Sequence, residues 1–570
     1  MTRAWRVPIV LSLLAVLLAA GTAACGGEVV VPGERLRVRE TGGPLDDGGW
    51  NLWTNGAVGE WFTPDGSGKI VLVIRAAGQP AKSVFPKATV SLLTSDDWAE
   101  HSLGQVTVSS KQFRDYRFEV KPGQGPFGLY LRFLNDEAVK GPDGKWLEDR
   151  NLLVKEFRVM GAKLAKKMPS VMDNAAGRIR KHRTAAATLT LTGADGTPLA
   201  NTPVTVRMTR HKFLFGCNIF ALGRCGTPKR DRLYAKRFRE LLNFATLPFY
   251  WQWYEPQRGR PKHPSRMKTA RWCRQNGVRA KGHPLFWTHE PEWVGKLSFE
   301  EGEARQLARI EREMKHFAGL VDTWDVLNEP VVGIEQAKKR NAANVLRLYK
   351  KYGRVEVIRR AFERARRAEP KATLILNDYR VGPEYAKIIE ACLKQDVPID
   401  VIGIQSHMHS RYWGAVRTWQ VCQRFARFGK PLHFTEATIL SGPKTADGWA
   451  TTPAGEKKQA EQAVEFYTLL FSHPSVEAIT WWDFSDLRAW QGAPAGFLRK
   501  DLSPKPVYGA LMKLVKGDWW TGPLELRTDA AGRVTFRGFL GDYAAEAAGR
   551  TATFALVKPG ACDVTARLRR

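Results

Sequence analysis

Seven cysteines in 570 residues are few, and they are scattered. Cys217, Cys225, Cys273, Cys392, Cys422 and Cys562 form none of the close pairs that zinc sites use, so no metal and no cofactor is expected. Cys392 and Cys422 fall in helix-like stretches and read as small buried residues rather than as a disulfide. A glycine-rich phosphate loop is missing, which removes the usual mark of an open dinucleotide-binding sheet. Beyond the N-terminal twenty or so residues, no apolar run is long enough for a membrane helix. Acidic residues are in deficit, 57 against 88 Lys and Arg, for a formal charge of +31. Such a charge favours anionic partners. The basic residues, however, interleave with Glu and apolar positions in stretches such as 229–239 and 354–367, the pattern of solvated helix faces. No nucleic-acid-binding motif accompanies them, and no nucleic-acid partner is expected.

What is present is a long chain of ordinary globular composition, 44% hydrophobic and 25% charged, which argues for two or more folded domains rather than long disorder. Twenty Trp are unusual: indole faces fill cores, but they also stack on the C–H faces of sugars. Residues 1–25 read as an export signal, with Arg3 and Arg6 ahead of an apolar run over 7–20. Ala23-Ala24-Cys25-Gly26 resembles a bacterial lipoprotein processing site and makes Cys25 a candidate for lipidation. Thr22 stands where Leu is usual, so plain secretion is the alternative. Membrane contact is expected only through that anchor, and the protein is expected to be a monomer.

Residues 28–162 read as short strands between Gly, Pro and Asp turns, an all-β sandwich. Trp50, Trp53 and Trp61 cluster near its start, and the segment weakly resembles carbohydrate-binding modules; a purely structural sandwich is the other reading. Residues 163–183 are basic and predict a linker helix. Residues 188–192 and 204–210, joined by Ala194-Asp195-Gly196, predict a hairpin leading into a catalytic domain over 184–516. The tail, 517–570, is again β-like and is expected to pair with that hairpin.

Between them, eight apolar strand-like runs alternate with amphipathic helical stretches: 213–220, 242–250, 279–287, 321–328, 372–379, 401–407, 431–436 and 477–484. Alternation implies parallel strands with crossover helices, and the count of eight selects a closed (β/α)8 barrel in an α/β fold. Several runs end in polar residues, where this fold places its active sites. Glu329 ends the fourth run in Trp324-Asp325-Val326-Leu327-Asn328-Glu329-Pro330, and Glu436 ends the seventh in His433-Phe434-Thr435-Glu436. One Glu at a strand end is most often solvated or ion-paired. Two, from strands facing each other across the barrel mouth, are the equipment for glycosidic hydrolysis: a proton donor and a second carboxylate on the other face of the sugar.

These motifs resemble glycoside hydrolase family 10, the endo-β-1,4-xylanases, over about residues 184–515. The matching segments are Lys281-Gly282-His283-Pro284-Leu285-Phe286-Trp287, the Glu329 and Glu436 strands, Asn377-Asp378-Tyr379, Gly403-Ile404-Gln405-Ser406-His407, and Thr480-Trp481-Trp482 with Trp490. The resemblance implies Glu329 as acid/base and Glu436 as nucleophile of a retaining, endo-acting enzyme on xylan. It implies that His283, Trp287, Asn328, Tyr379, Gln405, Trp482 and Trp490 line the sugar cleft, and that His407 holds the nucleophile. A departure stands at 247–253, Leu-Pro-Phe-Tyr-Trp-Gln-Trp, where the family has a Glu-Asn pair and a Lys gripping the distal sugar. Tyr250 and Trp251 are expected to replace that grip by stacking. A related β-1,4-glucanase, or a non-catalytic polysaccharide-binding protein, are the competing readings.

Overall fold

The computed structural model describes residues 27–95, 98–446 and 448–569; Cys25 and the export segment lie outside them. The chain divides into two compact units at Pro169.

In the first unit, two six-stranded antiparallel sheets enclose one apolar core. In one sheet Asn151–Met160 pairs with Ile70–Gln79, which pairs in turn with Arg114–Val120; in the other, Phe127–Phe133 lies between Gly56–Pro64 and Lys87–Thr94. Period-two patterning decides which side chains turn inward. Tyr116, Phe118 and Val120 pack on the core while Arg117 and Glu119 between them are exposed.

The linker is shorter in helix than its basic composition suggests. Ala162–Leu164 is a strand paired with Gly56–Pro64, and only Ala175–Arg183 is helical. Pro169 explains part of the difference, since proline supplies no N–H to a helix interior.

In the second unit, the expected hairpin is not formed. Thr184–Thr192 lies between Arg533–Phe539 and Gly560–Arg567 in one small sheet, while Pro203–His211 pairs with Leu524–Arg527 and Gly541–Ala547 in another. The two strands turn at 193–196 but cross into separate layers, and their apolar faces share a core containing Leu189, Val206, Tyr543 and Leu556. The tail thus does pair with the strands that precede the barrel.

The barrel itself is closed and parallel. Its strands are β1 (Leu214–Asn218), β2 (Phe244–Pro248), β3 (Arg279–His283), β4 (Thr323–Asn328), β5 (Thr373–Asp378), β6 (Val401–Ile404), β7 (Leu432–Ala437) and β8 (Val476–Trp481). Each lies within a residue of an expected run. β4 and β7 are buried along their whole length, as strands covered on both faces must be. The main crossover helices are α1 (Pro228–Leu241), α2 (His263–Gln275), α3 (Phe299–His316), α4 (Ala343–Ala368), α5 (Pro383–Leu393), α6 (Gly414–Ala426) and α7 (Pro453–Ser472), with α8 (Pro506–Lys513) closing the series. Their starts are written in the sequence: Thr227, Ser298 and Thr452 accept from the N–H three residues on, and Pro opens α1 and α7. Cys392 and Cys422 are buried in α5 and α6 without a disulfide. Among the described residues no helix is long and apolar enough to cross a membrane.

Candidate active site

The strand ends open into one cleft of about 770 Å³ that contains both Glu329 and Glu436. Glu329 has a φ of 56°, a left-handed conformation that costs a Glu energy and persists only where neighbours impose it. Here they do. Its N–H donates to the Asn377 carbonyl at 2.8 Å, and the Val331 N–H donates to Asp378 Oδ2 at 3.0 Å, so the end of β5 fixes the turn that aims Glu329. Burial pushes the Asp378 carboxyl up to about 7. A second close fit lies at Gly282 in β3, where any Cβ would collide with the Trp324 ring of β4.

Three amides join the two carboxylates. Asn377 Nδ2 donates to Glu436 Oε1 at 2.9 Å and to Asn328 Oδ1 at 2.8 Å. Gln405 Nε2 donates to Glu329 Oε1 at 3.0 Å and to Asn328 Oδ1 at 3.2 Å. Thr435 Oγ1 donates to Asn377 Oδ1 at 2.7 Å and thereby decides which way that amide points. Gln336, from the short helix after Glu329, donates to Glu329 Oε2 at 2.6 Å.

The imidazoles gather at Glu436. His407 Nε2 lies 3.1 Å from Glu436 Oε2, and its Nδ1 lies 2.9 Å from Thr438 Oγ1. His283 Nε2 is 4.0 Å from Glu436 Oε1; its Nδ1 is 2.7 Å from Asp325 Oδ2, which also accepts from Lys281 Nζ at 2.7 Å. Burial alone would raise the Glu436 carboxyl, but His283, His407 and Lys281 outweigh it and hold the group below the ordinary Glu range. Glu329 moves the other way: burial raises it and the charge of Glu436 adds to that, against the hydrogen bonds from Gln405 and Gln336. The two carboxyls therefore differ in protonation over a range of pH.

Aromatic rings wall the cleft. Trp482 and Trp490 lie 6.2 and 4.6 Å from the His407 ring, and Tyr250 and Trp287 lie 5.3 Å from His283 and 4.2 Å from His289 respectively. Tyr379 stands at the rim, 36% exposed.

Trp251 is the expected site residue that the cleft does not contain. It is buried, its Nε1 donates to Glu255 Oε2 at 3.0 Å, and its ring packs edge-on against Trp293 with the Arg309 guanidinium over it. Trp253, 54% exposed and lining the cleft, takes the place assigned to it. Lys281, Asp325, Gln336 and Asn377 join the site without being among the residues expected there. Asn377 shares the strand-end pattern of the residues that were chosen, and Lys281 and Asp325 are charges inside apolar strands, a signal in itself. Gln336 had no signal, because a Gln on a short helix is ordinary surface.

A closed parallel barrel whose mouth holds one raised and one lowered carboxyl between aromatic walls is the architecture of a glycoside-cleaving barrel. The chain belongs to glycosyl hydrolase family 10, whose model matches residues 208–514. It is 28% identical over 281 residues to endo-1,4-beta-xylanase B of Thermotoga neapolitana, covering 47% of this chain and 78% of that protein. It is 25% identical over 381 residues to the anti-sigma-I factor RsgI6 of Acetivibrio thermocellus, covering 65% of this chain but 46% of that protein, less than half of its length. The crystal structure of xylanase 10B from Thermotoga petrophila RKU-1 in complex with xylobiose aligns over 54% of this chain and 95% of that one, at 25% identity and a TM-score of 0.47.

A second model, a Ca-dependent, xylan-binding carbohydrate-binding module, matches residues 71–174. The sequence led to an expectation of no metal of any kind; its ground was cysteine spacing, which says nothing of calcium, an ion that takes carboxylate and carbonyl oxygens. The described residues contain no cluster of three or more His, Cys, Asp or Glu that could hold an ion. One acidic pair stands out, with the Arg150 guanidinium beside it. Asp136 Oδ1 is buried without a hydrogen-bond partner, and burial, with the like charge of Asp149 adding to it, raises the Asp136 carboxyl. Two carboxylates with carbonyl and water oxygens could complete a calcium shell.

Proposed function

We propose that this chain hydrolyses β-1,4-xylosidic bonds within xylan with retention of configuration, Glu329 acting as acid/base and Glu436 as nucleophile. The observation that carries the reading is the opposite electrostatic setting of the two Glu in one amide-linked cleft. In the first step a Glu436 oxygen attacks the anomeric carbon while Glu329 gives its proton to the departing oxygen, so the glycosidic bond breaks as a glycosyl ester forms. Glu329, now ionised, takes a proton from water, which attacks the anomeric carbon and releases Glu436. His407 and His283 keep Glu436 ionised for attack; Asn328 and Gln405 are placed to meet sugar hydroxyls beside the acid.

Azide separates the roles. Glu436→Ala should lose turnover and regain it with azide, yielding the anomer-inverted glycosyl azide. A rescued product of retained configuration would make Glu436 the acid/base. Initial rates on xylan against carboxymethylcellulose test the substrate, and equal rates would reject the xylan assignment. In the N-terminal unit, Asp136 and Asp149 would hold calcium, which would neutralise the carboxylate pair and fix the strand ends around the exposed Trp146 hairpin. That unit is proposed to bind xylan.

A further inference from the structure

One side of the cleft carries cations that hydrolysis does not use. Arg224 lies in the loop after β1, Lys262 just before α2 and Arg266 in its first turn, and all three line the cleft with Pro248 and Trp253. Arg224 and Lys262 are exposed, whereas Arg266 is half-buried, its Nε donating to the Pro248 carbonyl at 2.6 Å and its Nη1 to Ser265 Oγ at 3.1 Å. None of the three is ion-paired with a carboxylate of the described residues, although Arg258 and Arg312 each are. Burial, with the like charge of Arg224 adding to it, pushes the Arg266 guanidinium down. The acids of the cleft do not relieve them. Glu329 and Glu436 are tied into the amide network, and Asp483 accepts from Asn218 Nδ2 at 2.5 Å and from the Trp490 N–H at 2.6 Å.

Like charges gathered beside an exposed indole, with no carboxylate paired to them, favour an anionic ligand there. Arg266 is tied to the end of β2 through the Pro248 carbonyl, and Trp253 stands in the helical turn that follows that strand. A guanidinium meets a carboxylate with two parallel hydrogen bonds, and an indole face covers the C–H face of a sugar ring. We propose that this end of the cleft binds a uronic acid, its carboxylate held by Arg224, Lys262 and Arg266 and its ring laid against Trp253. The inference rests on the reading of the cleft as a xylan site and narrows it to acid-bearing chains.

Calorimetric titration of Glu329→Gln, which keeps the cleft and removes the acid, reads binding without turnover. Four ligands of equal backbone length are compared: an unsubstituted β-1,4-xylo-oligosaccharide, the same chain with one glucuronosyl side group, that compound with its carboxyl reduced to the alcohol, and a linear oligouronide. The glucuronosyl form should bind on the order of tenfold more tightly than its reduced twin. Adding Arg224→Gln and Lys262→Gln should remove most of that preference, as should high salt. The oligouronide tells the source of the acid: tight binding places the carboxylate on the backbone, weak binding on a side group. If the acid form binds no more tightly than its reduced twin, including if neither binds, or if the preference survives in the triple variant, the proposal is wrong. Failure of the unaltered protein to cleave xylan would instead overturn the hydrolytic reading, and the affinities would still decide this one.

Discussion

At the scale of single residues, the pH response follows from the two carboxyls. Turnover needs Glu436 ionised and Glu329 protonated. Because Glu436 is held below the ordinary Glu range and Glu329 above it, kcat/KM should follow a bell. It should fall in acid as Glu436 gains a proton, and fall towards alkali as Glu329 loses one. Gln336 stabilises the ionised form of Glu329 through its 2.6 Å hydrogen bond. Gln336→Leu should therefore move the alkaline limb upward by about one to two pH units, since a hydrogen bond to a charged group is worth about 1.5–3 kcal/mol and a unit about 1.4. An alkaline limb that stays put or moves down would sink this account. The Lys281–Asp325–His283 chain makes a different prediction, about stability. Lys281 and Asp325 are fully buried, so Lys281→Met strands a carboxylate in the barrel and should cost about 3–5 kcal/mol in denaturant unfolding.

At the scale of elements, the barrel was legible and the faces of short elements were not. Strands buried on both sides need unbroken apolar runs, and runs ending in Asn-Glu or Thr-Glu mark both the element and its functional end. The segment after β2 offered no such logic. Trp251–Tyr254 is a single helical turn, in which Trp251 and Trp253 stand about 200° apart, so that one must face the core if the other faces the cleft. Sequence alone did not say which. The consequence is a reciprocal pair of outcomes. Trp253→Ala should raise KM on oligosaccharides by up to about tenfold at an unchanged melting temperature, given about 0.5–1.5 kcal/mol for aromatic stacking. Trp251→Ala should cost about 3–5 kcal/mol of stability, measured by denaturant unfolding. The hairpin that Thr184–Thr192 and Pro203–His211 do not form has a similar cause: alternation identifies a strand and its inner face but not which sheet it joins.

At the scale of the whole molecule, the two units are proposed to divide capture from cleavage. Chelation distinguishes them: excess EDTA should weaken retention of the full-length protein on insoluble xylan and leave turnover of a short soluble oligosaccharide as it was. Parallel losses would show that calcium serves the barrel as well. Within the second unit, Arg183 ends the helix that enters the small two-sheet layer, and its guanidinium donates to the carbonyls of Phe471, His473 and Val476 at 2.5–2.6 Å. Burial pushes that guanidinium down to about 10.

The layer beneath the barrel also sets an order of events during synthesis. Thr184–Thr192 is translated before the barrel, yet both of its neighbours, Arg533–Phe539 and Gly560–Arg567, are translated after it. Until the last of them emerges, a strand buried in the finished protein has two open edges, the state in which chains pair with one another. The barrel strands are thus all made while the central strand of that layer still has both edges open. Arg533–Phe539 and Gly560–Arg567 are the strands that close those edges.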